Sequence, residues 1–173
     1  MVRLIGKNKS VLKTAGSVSA GNKSVNDLLV LLQGLATAGS ITGIYNMKEL
    51  YNDVGVILSD YTLGKWSEQG VLLLNCAMTV REGEPGSHLD VWENFTNGAI
   101  KKISENCNNI VFMLWGKYAQ KKQCIISSDK NHLILKSNHP SPLSANRGGW
   151  FGCKHFSKAN EYLSKNNKTE IKW

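Results

Sequence analysis

Nowhere in these 173 residues is there an apolar run of about eighteen, the length a membrane-crossing helix needs. No helical span and no membrane partner are therefore expected. Paired cysteines are missing too. Cys76, Cys107, Cys124 and Cys153 stand alone in sequence, with no CxxC pair and no histidine at zinc-ligand spacing from two of them. That excludes a zinc ribbon or finger; the four read as buried, reduced thiols, and no metal is expected. No internal repeat is visible. Acids are absent from the first 26 residues, which hold Arg3, Lys7, Lys9, Lys13 and Lys23, while the first carboxylate is Asp27. With Ser10, Ser17, Ser19 and Ser24 this stretch reads as a basic leader, either a targeting presequence or a segment outside the fold.

What is present is enough for one domain. Hydrophobic residues make up 42% of the chain, which can bury a core and rules out full disorder. Lys and Arg number 21 against 13 Asp and Glu, a formal charge of +8. An excess of that size fits an anionic partner such as nucleic acid or, equally, a solvated basic surface.

Periodic patterns begin near Val25. Leu28 to Leu32 is a short apolar run that fits a helix or a strand. Ile44, Met47, Leu50 and Tyr51 recur at helical spacing and predict a helix over 42–53. Val71–Leu74, Ile110–Trp115 and His132–Lys136 read as buried parallel strands. Trp92, Phe95, Ala99, Ile100 and Ile103 form one face of an amphipathic helix, with Ser87 or Asp90 as its cap. A last helix is predicted from Lys154 to about Lys165. Strands alternating with helices predict an α/β fold, a parallel central sheet flanked by helices.

In such sheets ligands bind beyond the carboxyl ends of the strands, and three segments occupy those ends. After the first strand comes Asn75, whose planar amide offers one acceptor and two donors that match a uracil edge and oppose a cytosine one; its alternative is to cap a turn. Gly116 and Lys117 follow the second. After the third comes His139-Pro140-Ser141-Pro142-Leu143-Ser144-Ala145-Asn146-Arg147. Two prolines fix this loop, and Ser141, Ser144 and Arg147 suit phosphate oxygens. Leu143 packs on the core or serves as a wedge in a base stack. His139 donates to a developing oxyanion or is a satisfied core histidine.

Together these segments resemble the family 1 uracil-DNA glycosylases. The resemblance lies in Gln69-Gly70-Val71-Leu72-Leu73-Leu74-Asn75, Met78-Thr79-Val80, Trp92-Glu93-Asn94-Phe95-Thr96, Leu114-Trp115-Gly116-Lys117-Tyr118-Ala119-Gln120-Lys121-Lys122, the whole His139–Ser144 loop and Gly152–Asn160. Ser40–Tyr45 is similar to the end of the family's Pro-rich phosphate loop and its following helix. The resemblance implies a base-excision repair enzyme that flips uracil out of DNA and hydrolyses its N-glycosidic bond. Asn75 would read the uracil edge, His139 would stabilise the departing uracil anion through O2, and Leu143 would fill the vacated space. Ser40, Ser141 and Ser144 would hold phosphates, with Gly116, Lys117, Lys121, Lys122 and Arg147 also against the DNA backbone. It further implies a monomer acting on uracil-containing DNA, single- or double-stranded, with no cofactor and no metal. Its compartment would be the nucleus or mitochondrion in a eukaryote and the cytoplasm in a bacterium.

One departure stands out. The family's water-activating Gly-Gln-Asp-Pro-Tyr-His loop does not occur in this chain. None of Asp27, Asp53, Asp60, Asp90 or Asp129 stands in a matching context, so the resemblance assigns no catalytic carboxylate. Lys117 stands where the family commonly has a serine. The strand before the missing loop is expected to be absent as well, leaving the sheet one member short. The domain is accordingly expected over 27–173, N-terminally incomplete, after the leader at 1–26. Impaired hydrolysis follows, or a non-catalytic DNA-binding or interaction protein that keeps the uracil-reading half.

Overall fold

The computed structural model describes residues 30–33, 41–58, 64–82, 84 and 86–173. The leader at 1–26, its boundary with the domain, and Ser40 lie outside the described residues. Four strands form one parallel sheet: β1 (Val30–Gln33), β2 (Val71–Leu73), β3 (Val111–Trp115) and β4 (Leu133–Ser137). Their order across the sheet is β2-β1-β3-β4. Val30 lies opposite both Val71 and Val111, and Val111 lies opposite Leu133, so the carboxyl ends finish on one edge.

The expectation of a sheet one member short is corrected by β1. Val30–Gln33 overlaps the Leu28–Leu32 run that periodicity left open between helix and strand. What decides it is not local: β2 and β3 do not pair with each other, and β1 bonds to both across the one-strand gap between them. A four-residue run has too little length to declare its period, and only its neighbours assign it.

The helices are α1 (Ile41–Val54), α2 (Gly64–Glu68), α3 (Leu89–Asn106), α4 (Lys117–Gln120), α5 (Pro142–Ala145) and α6 (His155–Lys165), with a 3₁₀ turn at Lys121–Ile125 after α4. None among the described residues is long and apolar enough to cross a membrane. β3 shows why the architecture is layered. All five of its residues are buried, and they alternate between two cores. Val111, Met113 and Trp115 join Leu50 of α1 and Phe156, Ala159 and Leu163 of α6, whereas Phe112 and Leu114 join Ile100 and Ile103 of α3. A strand covered on both faces must be apolar throughout, which is how it reads in sequence.

Two polar devices set the helices in place. Glu49 and Asp53, one turn apart on α1, face the start of α6. The Glu49 carboxylate accepts from the backbone N–H of Gly152 (2.7 Å) and Lys154 (3.0 Å), and Asp53 accepts from the N–H (2.9 Å) and hydroxyl (2.6 Å) of Ser157. These satisfy donors that a helix start leaves orphaned, a task that Lys154, left-handed at the N-cap position with no side-chain cap bond, does not perform. α3 departs from the expected cap. His88 occupies its N-cap position without a side-chain capping bond, and the Ser87 hydroxyl instead accepts from the Arg81 N–H (2.8 Å), tying the preceding turn.

Candidate functional site

Three strand ends meet at one cavity. Beyond β2 the chain presents Asn75, which is exposed. Beyond β3 it turns at Gly116, whose φ of 91° lies in the region that favours glycine. A Cβ there would stand 3.1 Å from the Cβ of His139, so glycine also allows the β3 and β4 ends to approach. The turn is locked at the carbonyl of Ser137, which accepts from the Gly116 N–H (3.0 Å) and from Gln120 Nε2 (2.7 Å). Asn75, Gly116, Lys117 and His139 line a cavity of about 450 Å³ together with Cys76, Thr79, Trp115 and Tyr118. Four of the sequence-predicted residues are thus brought together, from three separate segments.

His139 is half-buried at the cavity wall, not a core residue. Its Nδ1 accepts from the backbone N–H of Ser141 at 3.1 Å. A nitrogen that accepts carries no proton, so in the neutral ring Nε2 bears it and is a donor. The loop that follows holds the remaining candidates. Its base is closed by Asn138, whose N–H donates to the Gly149 carbonyl (3.1 Å) and whose amide donates to the Gly148 carbonyl (2.6 Å). Ser141 occupies the N-cap position of α5, with Leu143 and Ser144 in its single turn and Arg147 just beyond, exposed. Leu143 is 81% exposed, which removes the core-packing alternative. These four side chains do not line the cavity; they stand on the loop beside it.

Trp115 forms part of the cavity wall and is fixed from behind. Its indole Nε1–H donates to Nδ1 of His155 at 2.9 Å, and its ring meets Trp150 edge to face at 4.7 Å. Burial, followed by the nearby Lys158 charge, brings the His155 pKa down to about 4, so the ring is neutral and keeps that acceptor. A second support lies under Thr79. Its hydroxyl accepts from the Trp92 indole N–H and is also hydrogen-bonded to Nδ1 of His88 (2.8 Å). Sequence reasoning missed this group. Trp92 reads there only as a member of an apolar helix face, and its indole N–H was the one signal that it needs a polar partner.

Two expectations on polar side chains are corrected. Lys122 does not stand with the cations free to meet a phosphate: it is 9% exposed, and its ammonium donates to Glu93 at 2.7 Å. A buried ammonium needs a paired carboxylate, and α3 supplies one across the 3₁₀ turn. The cysteines are all reduced, but only Cys107 is buried; Cys76 and Cys153 are half-buried and Cys124 is exposed on that same turn. Among the described residues no group of three or more His, Cys, Asp or Glu side chains could hold a metal ion.

The model of the uracil DNA glycosylase superfamily matches residues 31–164. The chain belongs to that superfamily. It is 49% identical over 152 residues to the uracil-DNA glycosylase of Flavobacterium johnsoniae, covering 87% of this chain and 65% of that protein. It is 51% identical, again over 152 residues, to uracil-DNA glycosylase 2 of Bacteroides fragilis, covering 87% and 64%. The chain therefore spans just under two thirds of the length of these bacterial uracil-DNA glycosylases. In fold it is similar to the crystal structure of mimivirus uracil-DNA glycosylase, with a TM-score of 0.78 at 23% identity over 92% of this chain and 72% of that one. The cavity at the carboxyl ends of the strands thus belongs to a chain of this superfamily.

Proposed function

We propose that this chain recognises uracil flipped out of DNA and hydrolyses its N-glycosidic bond, at a rate held down because its sequence lacks the family's water-activating Gly-Gln-Asp-Pro-Tyr-His loop. The observation that carries the reading is the convergence of Asn75 and His139 on one cavity, with Leu143 exposed beside it. The Asn75 amide accepts from uracil N3–H and donates to O4, and cytosine would leave both of these groups unpaired. That mismatch is a strong discriminator, because buried polar groups without partners are costly. His139 Nε2–H donates to uracil O2 as negative charge gathers there, lowering the barrier to bond cleavage without transferring a proton. Leu143 enters the base stack, while Ser141, Ser144, Arg147, Lys117 and Ser40 hold the backbone. No cofactor or metal takes part. The protein acts as a monomer on uracil-containing DNA through a domain at 27–173, and its bacterial relatives favour a cytoplasmic setting.

A second reading has its own observation. The described residues that line the cavity include no Asp or Glu, and Gly34–Ser40, which follows β1 in sequence, contains none either. Losing a positioned catalytic group typically costs orders of magnitude in rate, though binding and oxyanion stabilisation leave a residue of it. The second reading is a non-catalytic uracil reader. Single-turnover assays with protein in excess over a uracil-containing duplex separate the two. We expect slow uracil release that Asn75→Ala abolishes. No release, together with salt-sensitive binding to the same duplex, would overturn hydrolysis and leave the reader.

A further inference from the structure

Tyr118 is an aromatic side chain that the fold leaves outside its core. It is the second residue of α4, directly after the Gly116 turn, and it contributes to the cavity wall while remaining 59% exposed. The next residue, Ala119, is buried, so the short helix is seated and presents the Tyr118 ring beside the cavity mouth. Lys121 Nζ stands 5.3 Å from the centre of the Tyr118 ring, and Lys117 is exposed on the same turn. Lys122 is turned inward to Glu93, whereas Lys117 and Lys121 on either side of Tyr118 in sequence are exposed.

An exposed ring with one lysine ammonium over a face and a second exposed lysine next to it in sequence, at the edge of a pocket for one base, has the composition of a single-strand path. Successive bases stack on aromatic faces there while lysines follow the phosphates. We propose that Tyr118 is a stacking platform for the unpaired base next to the flipped uracil, with Lys117 and Lys121 meeting the phosphates on either side. The inference rests on the uracil-reading function proposed above. It adds a contact outside the uracil pocket, one that is indifferent to the identity of the neighbouring base because every base has a π face. It also predicts that single-stranded DNA is held better than the pocket alone would hold it, since a neighbouring base is free to leave its stack only when it is unpaired.

The test is a double-mutant cycle read by fluorescence anisotropy. The probe is a fluorescein-labelled single strand with one 2′-fluoroarabino-uridine, whose fluorine resists glycosidic cleavage. It is made with all bases present, or with an abasic position directly 5′ or directly 3′ of the uracil. Tyr118→Ala should weaken binding of the full strand by roughly 5- to 150-fold, and Tyr118→Leu, which keeps apolar bulk without a π face, should weaken it similarly. Tyr118→Phe should bind like the parent. Removing the neighbouring base on one side should weaken the parent by the same factor and leave Tyr118→Ala no weaker than before. Unchanged binding by Tyr118→Ala, or losses that simply add, overturns the platform while leaving uracil reading intact. Absence of binding by the parent chain overturns the uracil-reading function and the platform with it.

Discussion

Acidification strikes this fold chiefly at one buried imidazole. His155 is 3% exposed at the first turn of α6, and its Nδ1 accepts the indole N–H of Trp115 on the cavity wall. Burial is the main cause that brings its pKa to about 4, and Lys158 adds to it; a bond to the Lys136 backbone and the charge of Asp53 act in the opposite direction. In the unfolded chain the ring titrates near 6.5. The native state thus prefers the neutral ring, and the unfolded state takes up the proton first. Stability is fully present above pH 6.5 and is lost as the pH falls, until the native ring itself protonates near 4. The separation of the two pKa values corresponds to a total of about 3 kcal/mol, of which about 2 kcal/mol is lost by pH 5. Against the 5–15 kcal/mol typical of a domain, that is a large share. Urea unfolding at pH 7, 6 and 5 measures it. His132, whose pKa burial also lowers, contributes in the same direction, so the comparison must be with a variant rather than with pH 7 alone. His155→Gln retains an acceptor for Trp115 but cannot be protonated, and its stability should fall with pH by about 2 kcal/mol less than the parent's. Parallel curves for parent and variant would refute the assignment of a neutral, buried His155.

Two further outcomes follow from the loop geometry. Leu143→Ala removes a side chain that is 81% exposed, so stability should change by no more than about 0.5 kcal/mol. Binding or uracil release should fall more on duplex than on single strands, and equal loss on both would remove the wedge role. Gly116→Ala places a Cβ 3.1 Å from His139 Cβ at a φ of 91°; backbone strain alone should cost about 1–3 kcal/mol. Thermal unfolding should show a lower midpoint and anisotropy should show weakened uracil-DNA binding. A variant that matched the parent in both would show that the β3 and β4 ends do not need this close approach.

The parts of this fold that read directly from sequence are those whose pattern is local. The runs at Val71 and Ile110 announce buried strands because both faces of each are covered. Helices α1, α3 and α6 announce themselves by apolar spacing. The parts that do not read depend on distant partners. β1 is too short to show a period and is assigned by pairing with strands that follow it by about forty and eighty residues. Lys121 and Lys122 are identical neighbours, yet one stands over an exposed ring and the other is buried against Glu93; no sequence rule separates them, because the distinction is made by α3. The same holds for Ser87, read as a cap but used to tie a turn. At the site, Asn75, Gly116 and His139 were legible because strand ends in parallel sheets are where ligands bind, and the Pro-rich spacing of the His139 loop is distinctive. Thr79, Trp115 and Tyr118 were not, since their significance lies in facing the same cavity as those residues.

Under the proposed function, the long-range contacts of α1 support the exposed Leu143 from behind. A wedge can open a base stack only if the loop behind it yields less than the stack does. The Leu143 loop is closed at its base by Asn138, and the chain that leaves it is anchored at once. Trp150, fully buried, donates its indole N–H to the Tyr45 carbonyl of α1 (3.2 Å). Glu49 then takes the Gly152 and Lys154 N–H groups, and Asp53 takes Ser157. Four donors within eight residues are therefore fixed to one helix, which packs through Leu50 into the same core as Val111, Met113 and Trp115 of β3. The segment that leaves the Leu143 loop is thereby tied through α1 to the central sheet. An apolar tip at 81% exposure carries a hydration cost with no return in the isolated protein; under the proposed function that cost is recovered when the tip enters the base stack.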